Sequence, residues 1–404
     1  MADLAACAAA LKSRQLFLAR LRKLSELDRL WREPSRRQTA PNRRREQVMQ
    51  LDSFRTLGRS GLRISPLTLG TMIFGDSSWG ADEETSLRII DRYLAAGGNA
   101  LDTANAYAAG RSEEVIGRYL AGHPGLRDRL VIATKFAGNM FPGDPNGGGA
   151  GRKAVMQQVD NSLRRLGTDY IDLYWLHNWD RHTPLEETMS TLNDLVRAGK
   201  VRYAGLSDTP AWAVARAATI AEFRGWAPVA AIQVEYSLLQ RTPEGELFGI
   251  ARELGLGVTP WSPLASGVLS GKYTRDNTAP AGSGRVRFAA RSLTEKTFGL
   301  LDALHRIGGE LGAPVAAVAL AWARQQTEVT STIIGARTLQ QLESNLSSLE
   351  VTIPDQQLAE LDKLTQPQLD FPADILAAIV IPWQQAGATI NDVPSKEFSR
   401  DRPA

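Results

Sequence analysis

Residues 130–136, LVIATKF, and residues 171–177, IDLYWLH, are two short apolar runs, and each carries a titratable side chain at or just past its end. Between them, RKAVMQQVDNSLRRL at 152–166 has apolar residues recurring every three or four positions, the spacing of an amphipathic helix. Two strands joined through a helix pair in parallel, because a crossover is what returns the chain to the same edge. The same unit repeats outward in both directions. PLTLG at 66–70 and NALD at 99–102 precede the pair; VRYAGLS at 201–207, AAIQVE at 230–235, GVTPWS at 257–262 and STIIG at 331–335 follow it. The predicted helices lie near 83–96, 112–120, 152–166, 185–198, 210–223, 245–254, 294–311, 314–325 and 338–348. Eight such units are what a closed (β/α)8 TIM barrel requires. A doubly wound open sheet also alternates, but no G-x-G-x-x-G follows the first strand, where that fold puts its phosphate turn. Ahead of the first unit, LDSFRTLGRSGLRIS at 51–65 reads as a β-hairpin around a Gly-Arg-Ser-Gly turn, able to plug one barrel end.

The barrel pattern assigns residues 49–404 to one domain and leaves residues 1–48 as a basic extension. Those 48 residues hold 12 Lys and Arg against 5 Asp and Glu, so the chain's net charge of +3 conceals a balance of +7 at the N-terminus and −4 beyond it. The extension reads as an Ala-rich stretch, a helix-like segment and a disordered EPSRRQTAPNRRRE. A nucleic-acid or membrane-surface arm, an organelle presequence, a loose tail and a natural start at Met49 all fit it, with the last two favoured. The single Cys7 excludes an intrachain disulfide framework and fits a reducing compartment, here the cytoplasm. No apolar run approaches the ~20 residues that span a bilayer. No His/Cys/Asp/Glu cluster has metal-ligand spacing, so no metal is expected. No aromatic-interleaved basic motif points to nucleic acid. Oligomeric state stays open.

Parallel barrel strands bring their C-terminal ends to one face, so Asp102 and Tyr107 of LDTANAY, Lys135 and His177 are expected to meet there. Their chemistry is complementary. An ammonium at Lys135 favours the phenolate of Tyr107 and so eases release of its proton, while Asp102 supplies the lysine's counter-charge. A neutral imidazole at His177 can donate a hydrogen bond to a carbonyl oxygen. Together the four read as a site for carbonyl reduction. Each alone also has an ordinary structural reading: a turn cap, a packed ring, a solvated amine. His123 and His305 read as structural, and His182 as a minor alternative near the site.

These motifs add up to a family resemblance. LDTANAY with GRSEEVIG after it, VIATKF, LRRLGTDYIDLYWLHNWD, GKVRYAGLSD, IQVEYSLLQR, PWSPLASGVLSGKY and IIGARTLQQLESNL span all eight units. From about residue 51 onward the chain resembles the aldo-keto reductase superfamily, most of all its bacterial and fungal aryl-alcohol-dehydrogenase-like branch. The resemblance implies NADP(H) held across the upper face and hydride exchange between it and a small-molecule carbonyl or alcohol, with Tyr107 as general acid. It implies that Ser207, Asp208 and Gln233 hold the nicotinamide carboxamide and that Trp261 stacks on the ring. Ser262, Leu264, Ser266, Gly267 and Leu269 would cradle the pyrophosphate, and Gly335, Ala336, Arg337, Gln341 and Asn345 the adenosine end, with Arg337 on a 2′-phosphate.

Two departures stand out. Asp208 replaces the Asn common in the wider family, which removes one donor, and Gly335 and Ala336 replace a bulkier start of the last cofactor loop. Substrate walls are expected from Met72, Phe74, Trp79, Phe136, Phe141, Trp179, Phe371 and Trp383, which suits aryl or other bulky hydrophobic carbonyls. The Gly- and Pro-rich loop at 137–153 is expected to overhang the pocket, and Arg275, Arg285, Arg287 and Arg291 offer a clamp for an anionic cofactor, with a solvated insertion as the alternative. A non-catalytic nucleotide-sensing subunit of the same fold is the competing function; the intact tetrad argues against it.

Overall fold

Side chains alternate faces along each strand, and that period of two builds the barrel from the bottom upward. The computed structural model describes residues 49–280, 289–390 and 393–397; the expectations for residues 1–48 and for Arg285 and Arg287 lie outside them. The antiparallel hairpin is β1 (Arg55–Thr56) and β2 (Arg63–Ile64), with Arg55 opposite Ile64. The barrel strands are β3 (Leu67–Gly70), β4 (Ala100–Asp102), β5 (Val131–Phe136), β6 (Ile171–Leu176), β7 (Val201–Ser207), β8 (Val229–Glu235), β9 (Gly257–Trp261) and β10 (Thr332–Ile334). They form one sheet in the order β10-β3-β4-β5-β6-β7-β8-β9, every pair parallel. Val258 of β9 bridges to Val329, and the amides of Thr330 and Ser331 donate to its carbonyl, so the ring closes just ahead of β10.

Two separate apolar layers follow from the alternation. Ala100, Val131, Ala133, Leu173, Trp175 and Ala231 face inward and, with Ala230 at a register irregularity between β7 and β8, pack with Leu57 and Ile64 of the hairpin. Leu101, Ile132, Phe136, Tyr174, Leu176, Leu206, Ile232 and Val258 face outward into the larger cluster under the helices. Trp175 is the main filler of the barrel, and Gly205 opposite it on β7 is what admits the indole, since a Cβ there would lie 2.3 Å from the ring. The hairpin closes the barrel's lower end. Gly58, at φ +59°, lets its turn approach so closely that a Cβ would lie 2.5 Å from the Gly255 carbonyl oxygen.

The first nine of the ten longer helices lie where the sequence periodicity predicts them, and the tenth, over Asp355–Thr365, is one the sequence reading did not expect. They are α1 (Glu83–Ala95), α2 (Arg111–Gly122), α3 (Arg152–Leu166), α4 (Leu185–Arg197), α5 (Ala211–Arg224), α6 (Leu247–Leu254), α7 (Glu295–Leu311), α8 (Val315–Gln325), α9 (Leu339–Leu346) and α10 (Asp355–Thr365). Asp82, Thr294 and Thr338 cap α1, α7 and α9 through side-chain acceptors. The last predicted helix is shorter than expected: α9 ends at Leu346 and tightens into a 3-10 turn over Ser347–Leu349.

Candidate active site

The inward columns that begin as barrel filling end in polar groups. Two residues above Ala100 stands Asp102; above Ala133, Lys135; above Trp175, His177; above Gly205, Ser207; above Ala231, Gln233. The same alternation that fills the barrel therefore aims these side chains into its upper mouth. Lys135 is fully buried and forms an ion pair with Asp102, while its Nζ also donates to the Thr103 carbonyl at 2.8 Å. Gln233 Nε2 donates to the other Asp102 oxygen at 3.0 Å. The carboxylate is thus held from two sides. Tyr107 sits over this pair, with Lys135 Nζ 4.9 Å from its ring centroid. The ring of His177 meets that of Tyr107 edge-on, with centroids 5.6 Å apart.

Burial acts on the titration of all three and decides it for Tyr107 and His177. It raises the Tyr107 pKa, and the positive charge of Lys135 pulls back without reversing the rise. The phenol is therefore a proton carrier at neutral pH. Burial pulls the Lys135 pKa down, but the Asp102 charge and the Tyr107 contacts outweigh it, and the ammonium persists. Burial and then the Lys135 charge push His177 down to about 3, so its imidazole is neutral.

The turn carrying Tyr107 is unusual. Ala108, Ala109 and Gly110 follow it in left-handed conformation at φ 49°, 56° and 93°. Such a conformation costs a non-glycine residue roughly 1–2 kcal/mol, so the surroundings must impose it. Buried networks on both flanks do so. Before the turn, Asn105 donates to the Gly138 carbonyl and to Gln158 Oε1. After it, Ser112 bonds Thr71 and Thr103, and buried Glu113 accepts from Thr134 Oγ1 at 2.5 Å and Arg165 Nε at 2.6 Å. The Arg165 side chain lies against Gly110, where a Cβ would come within 3.0 Å.

Above these residues opens a cleft of about 1090 Å³. Asp102, Tyr107, His177, Ser207, Asp208, Gln233 and Trp261 line one end; Ser262, Leu264, Ser266, Gly267, Gly335, Arg337, Gln341 and Asn345 line the rest. Lys135 lies beneath the floor, and Leu269 and Ala336 are buried in the core behind the wall. Several backbone donors of the expected phosphate cradle are already engaged: Ser266 N–H bonds Ser262 Oγ, and the Gly267 and Leu269 amides bond the Leu264 carbonyl. Asn345 Nδ2 donates to the Gly335 carbonyl, and the Arg337 amide to Gln341 Oε1. Asp208, Ser262 and Ser266 stand at φ 41°, 53° and 56°, so left-handed backbone clusters along the cleft. Trp261 Nε1 donates to Asp208 Oδ1 at 3.0 Å, which fixes the indole at the mouth.

Several wall expectations need correction. Met72 and Trp79 line the cleft, but Phe74 and Phe136 are core residues, the latter stacked at a tilt on Tyr174. Trp179 packs edge-on against Trp212, and Phe141, Phe371 and Trp383 are exposed away from the lining. No residue of the glycine-rich 137–153 loop lines the cleft; Gly147 and Gly148 fold back onto Asn139, where a Cβ would collide. Arg275 is tied to Glu295 and Asp302, Arg291 is exposed, and neither lines the cleft. The sequence reading passed over Lys272, Ser270 and Ser344, all in the lining. A lysine inside the expected phosphate segment, six residues after Ser266, was the available signal for the first. Among the described residues no group of three His, Cys, Asp or Glu could hold a metal, and no helix is long and apolar enough to cross a membrane.

Comparison with known proteins agrees with the fold and the motifs. The aldo/keto reductase family model matches residues 66–366. An uncharacterized oxidoreductase, YrpG, of Bacillus subtilis is 39% identical over 318 residues, covering 76% of this chain and 94% of its own length. Norsolorinic acid reductase stcV of Emericella nidulans is 35% identical across 78% of this chain and 82% of its own. The aryl-alcohol dehydrogenase [NADP(+)] of Phanerodontia chrysosporium is 32% identical across 77% and 85%. With eight parallel strands in a barrel and a family match spanning them, this chain is an oxidoreductase of the aldo/keto reductase family.

Proposed function

We propose that the protein is an NADP(H)-dependent reductase of aryl or other bulky hydrophobic aldehydes and ketones, with Tyr107 as general acid. The observation that carries this reading is the placement of a protonated, partly buried phenol over a lysine and carboxylate pair, with a neutral imidazole beside it at the mouth of one long cleft. The relatives named as an NADP(+) aryl-alcohol dehydrogenase and as norsolorinic acid reductase support the same substrate class.

The cleft fits a dinucleotide by its chemistry. At one end Ser207 and Gln233 offer hydrogen-bonding groups beside the flat face of Trp261; further along, Lys272 and Arg337 supply positive charge for phosphates. Arg337 is the residue to pair with a 2′-phosphate, because a guanidinium meets phosphate oxygens bidentately. Bound there, a reduced nicotinamide supplies the hydride. Tyr107 gives its proton to the carbonyl oxygen as that oxygen gains charge, and Lys135 stabilises the phenolate left behind. Asp102 keeps the lysine ionised and in place. His177, uncharged, donates a hydrogen bond to the same oxygen and orients the carbonyl. Apolar Met72, Ile73 and Trp79 give the substrate an apolar wall and displace water.

Tryptophan-fluorescence titration with NADPH and NADH, followed by NADPH oxidation with aryl aldehydes, diketones and bulky ketones, tests the proposal. Tight NADPH binding with turnover is expected. Binding without turnover across the panel points instead to a nucleotide-sensing subunit.

A further inference from the structure

Two acidic residues near the cleft play no part in the tetrad. Asp208 lines the cleft just past the end of β7, exposed at its mouth, with its carboxylate accepting from Trp261 Nε1. Glu235 ends β8, directly opposite Trp261 in register. Burial raises the pKa of each, and for Glu235 the Asp208 charge adds to that. The nearby cation, Lys135, is committed to Asp102. His177 is uncharged, and among the described residues neither Asp208 nor Glu235 belongs to an ion pair. The end of the cleft that holds Tyr107 and Trp261 therefore carries excess negative charge within a partly desolvated wall.

A nicotinamide ring is neutral when reduced and carries one positive charge when oxidised, while the phosphates of the two forms are identical. Excess negative charge beside the ring must distinguish them. Resting on the function proposed above, we infer that Asp208, seconded by Glu235, selects the oxidised ring by charge and stabilises the positive charge that develops on the ring as hydride leaves. The backbone is consistent with a specific demand at this position: Asp208 stands at φ 41°, its amide bonds the Gln233 carbonyl, and its carbonyl accepts from Trp179 N–H. The side chain is thus fixed from its own backbone and from Trp261. Its consequence for turnover is an on-enzyme equilibrium drawn toward alcohol and oxidised nucleotide, with slower release of that nucleotide.

The test compares dissociation constants of NADP+, NADPH and 2′-phospho-ADP-ribose, which lacks the ring, for the wild-type chain and for Asp208→Asn and Glu235→Gln. Asn keeps an acceptor for Trp261 and tolerates left-handed backbone, so the substitution removes the charge and adds one amide donor, which the carboxamide of both redox forms meets alike. The expected result is an NADP+ to NADPH Kd ratio raised about tenfold in Asp208→Asn, the scale of one unit charge a few ångströms away in a partly wet site, and raised less in Glu235→Gln. Affinity for 2′-phospho-ADP-ribose should stay constant. A ratio unchanged in both variants overturns the inference while leaving the proposed function intact, and so does an equal loss for all three ligands. Failure of the wild-type chain to bind any of the three overturns both.

Discussion

The floor of the cleft and its rim are built on different principles. On the floor, Asp102, Lys135, Ser207 and Gln233 stand on strands, each placed by the inward alternation that also seats Ala100, Ala133, Gly205 and Ala231 below them. Lys135 and Gln233 both bond the Asp102 carboxylate. On the rim, Ser262–Gly271 and Gly335–Asn345 are loops and a helix start, positioned by left-handed backbone at Ser262, Ser266 and Gly267 and by amide bonds inside the loop. A strand end can hold a reacting group rigidly, whereas a loop can adapt to a long, charged ligand. In the proposed enzyme, chemistry belongs to the floor and cofactor affinity to the rim.

The sharpest break in that division is Lys135→Met. It strands the Asp102 carboxylate in a buried site, for which ~3–5 kcal/mol of lost stability is the ordinary scale. Chemical denaturation should show that loss together with abolished turnover; a stable, active variant contradicts the floor as described. Next comes Arg337→Ala on the rim. It should weaken NADPH by about 1.5–3 kcal/mol and spare NADH, in paired fluorescence titrations. Equal weakening of both removes the 2′-phosphate role.

His177 gives a pH-dependent signature that is small at mildly acidic pH. Its pKa falls from 6.5 to about 3 on folding, so the unfolded chain binds the extra proton between those values. Its contribution to stability is intact above 6.5 and is lost as pH falls toward 3, at up to ~1.4 kcal/mol per pH unit. Denaturation of His177→Asn at neutral and mildly acidic pH should show a shallower dependence than the wild type. Smallest of all is Phe371→Ser. That ring is 80% exposed and outside the lining, so stability should stay within ~0.5 kcal/mol and KM for aryl substrates should not move.

The floor was legible in the sequence because strand period and strand ends are written locally: VIATKF fixes both that Lys135 points inward and that it sits near the mouth. The hairpin was equally legible, since Gly58 opens a turn whose left-handed backbone and close packing few other residues permit. The rim was read through resemblance, and Lys272 escaped because a lysine in a loop has no periodic signature. Arg275 was offered as a clamp because its partners, Glu295 and Asp302, lie on a helix reached only after folding. Phe136 and Trp179 failed as wall residues for a similar reason. An aromatic ring that packs outward under helices and one that lines a pocket are written identically until the strand's inward face is counted, and for Phe136 that count places it outward, next to inward Lys135.

The most direct test measures kcat for an aryl aldehyde and Kd for NADPH in two variants, Tyr107→Phe on the floor and Arg337→Ala on the rim. The account predicts a crossed pattern: Tyr107→Phe loses roughly 10²–10⁴ in kcat with NADPH affinity nearly unchanged, and Arg337→Ala loses affinity while kcat at saturating NADPH is largely kept. Parallel losses of rate and affinity in both variants would contradict it.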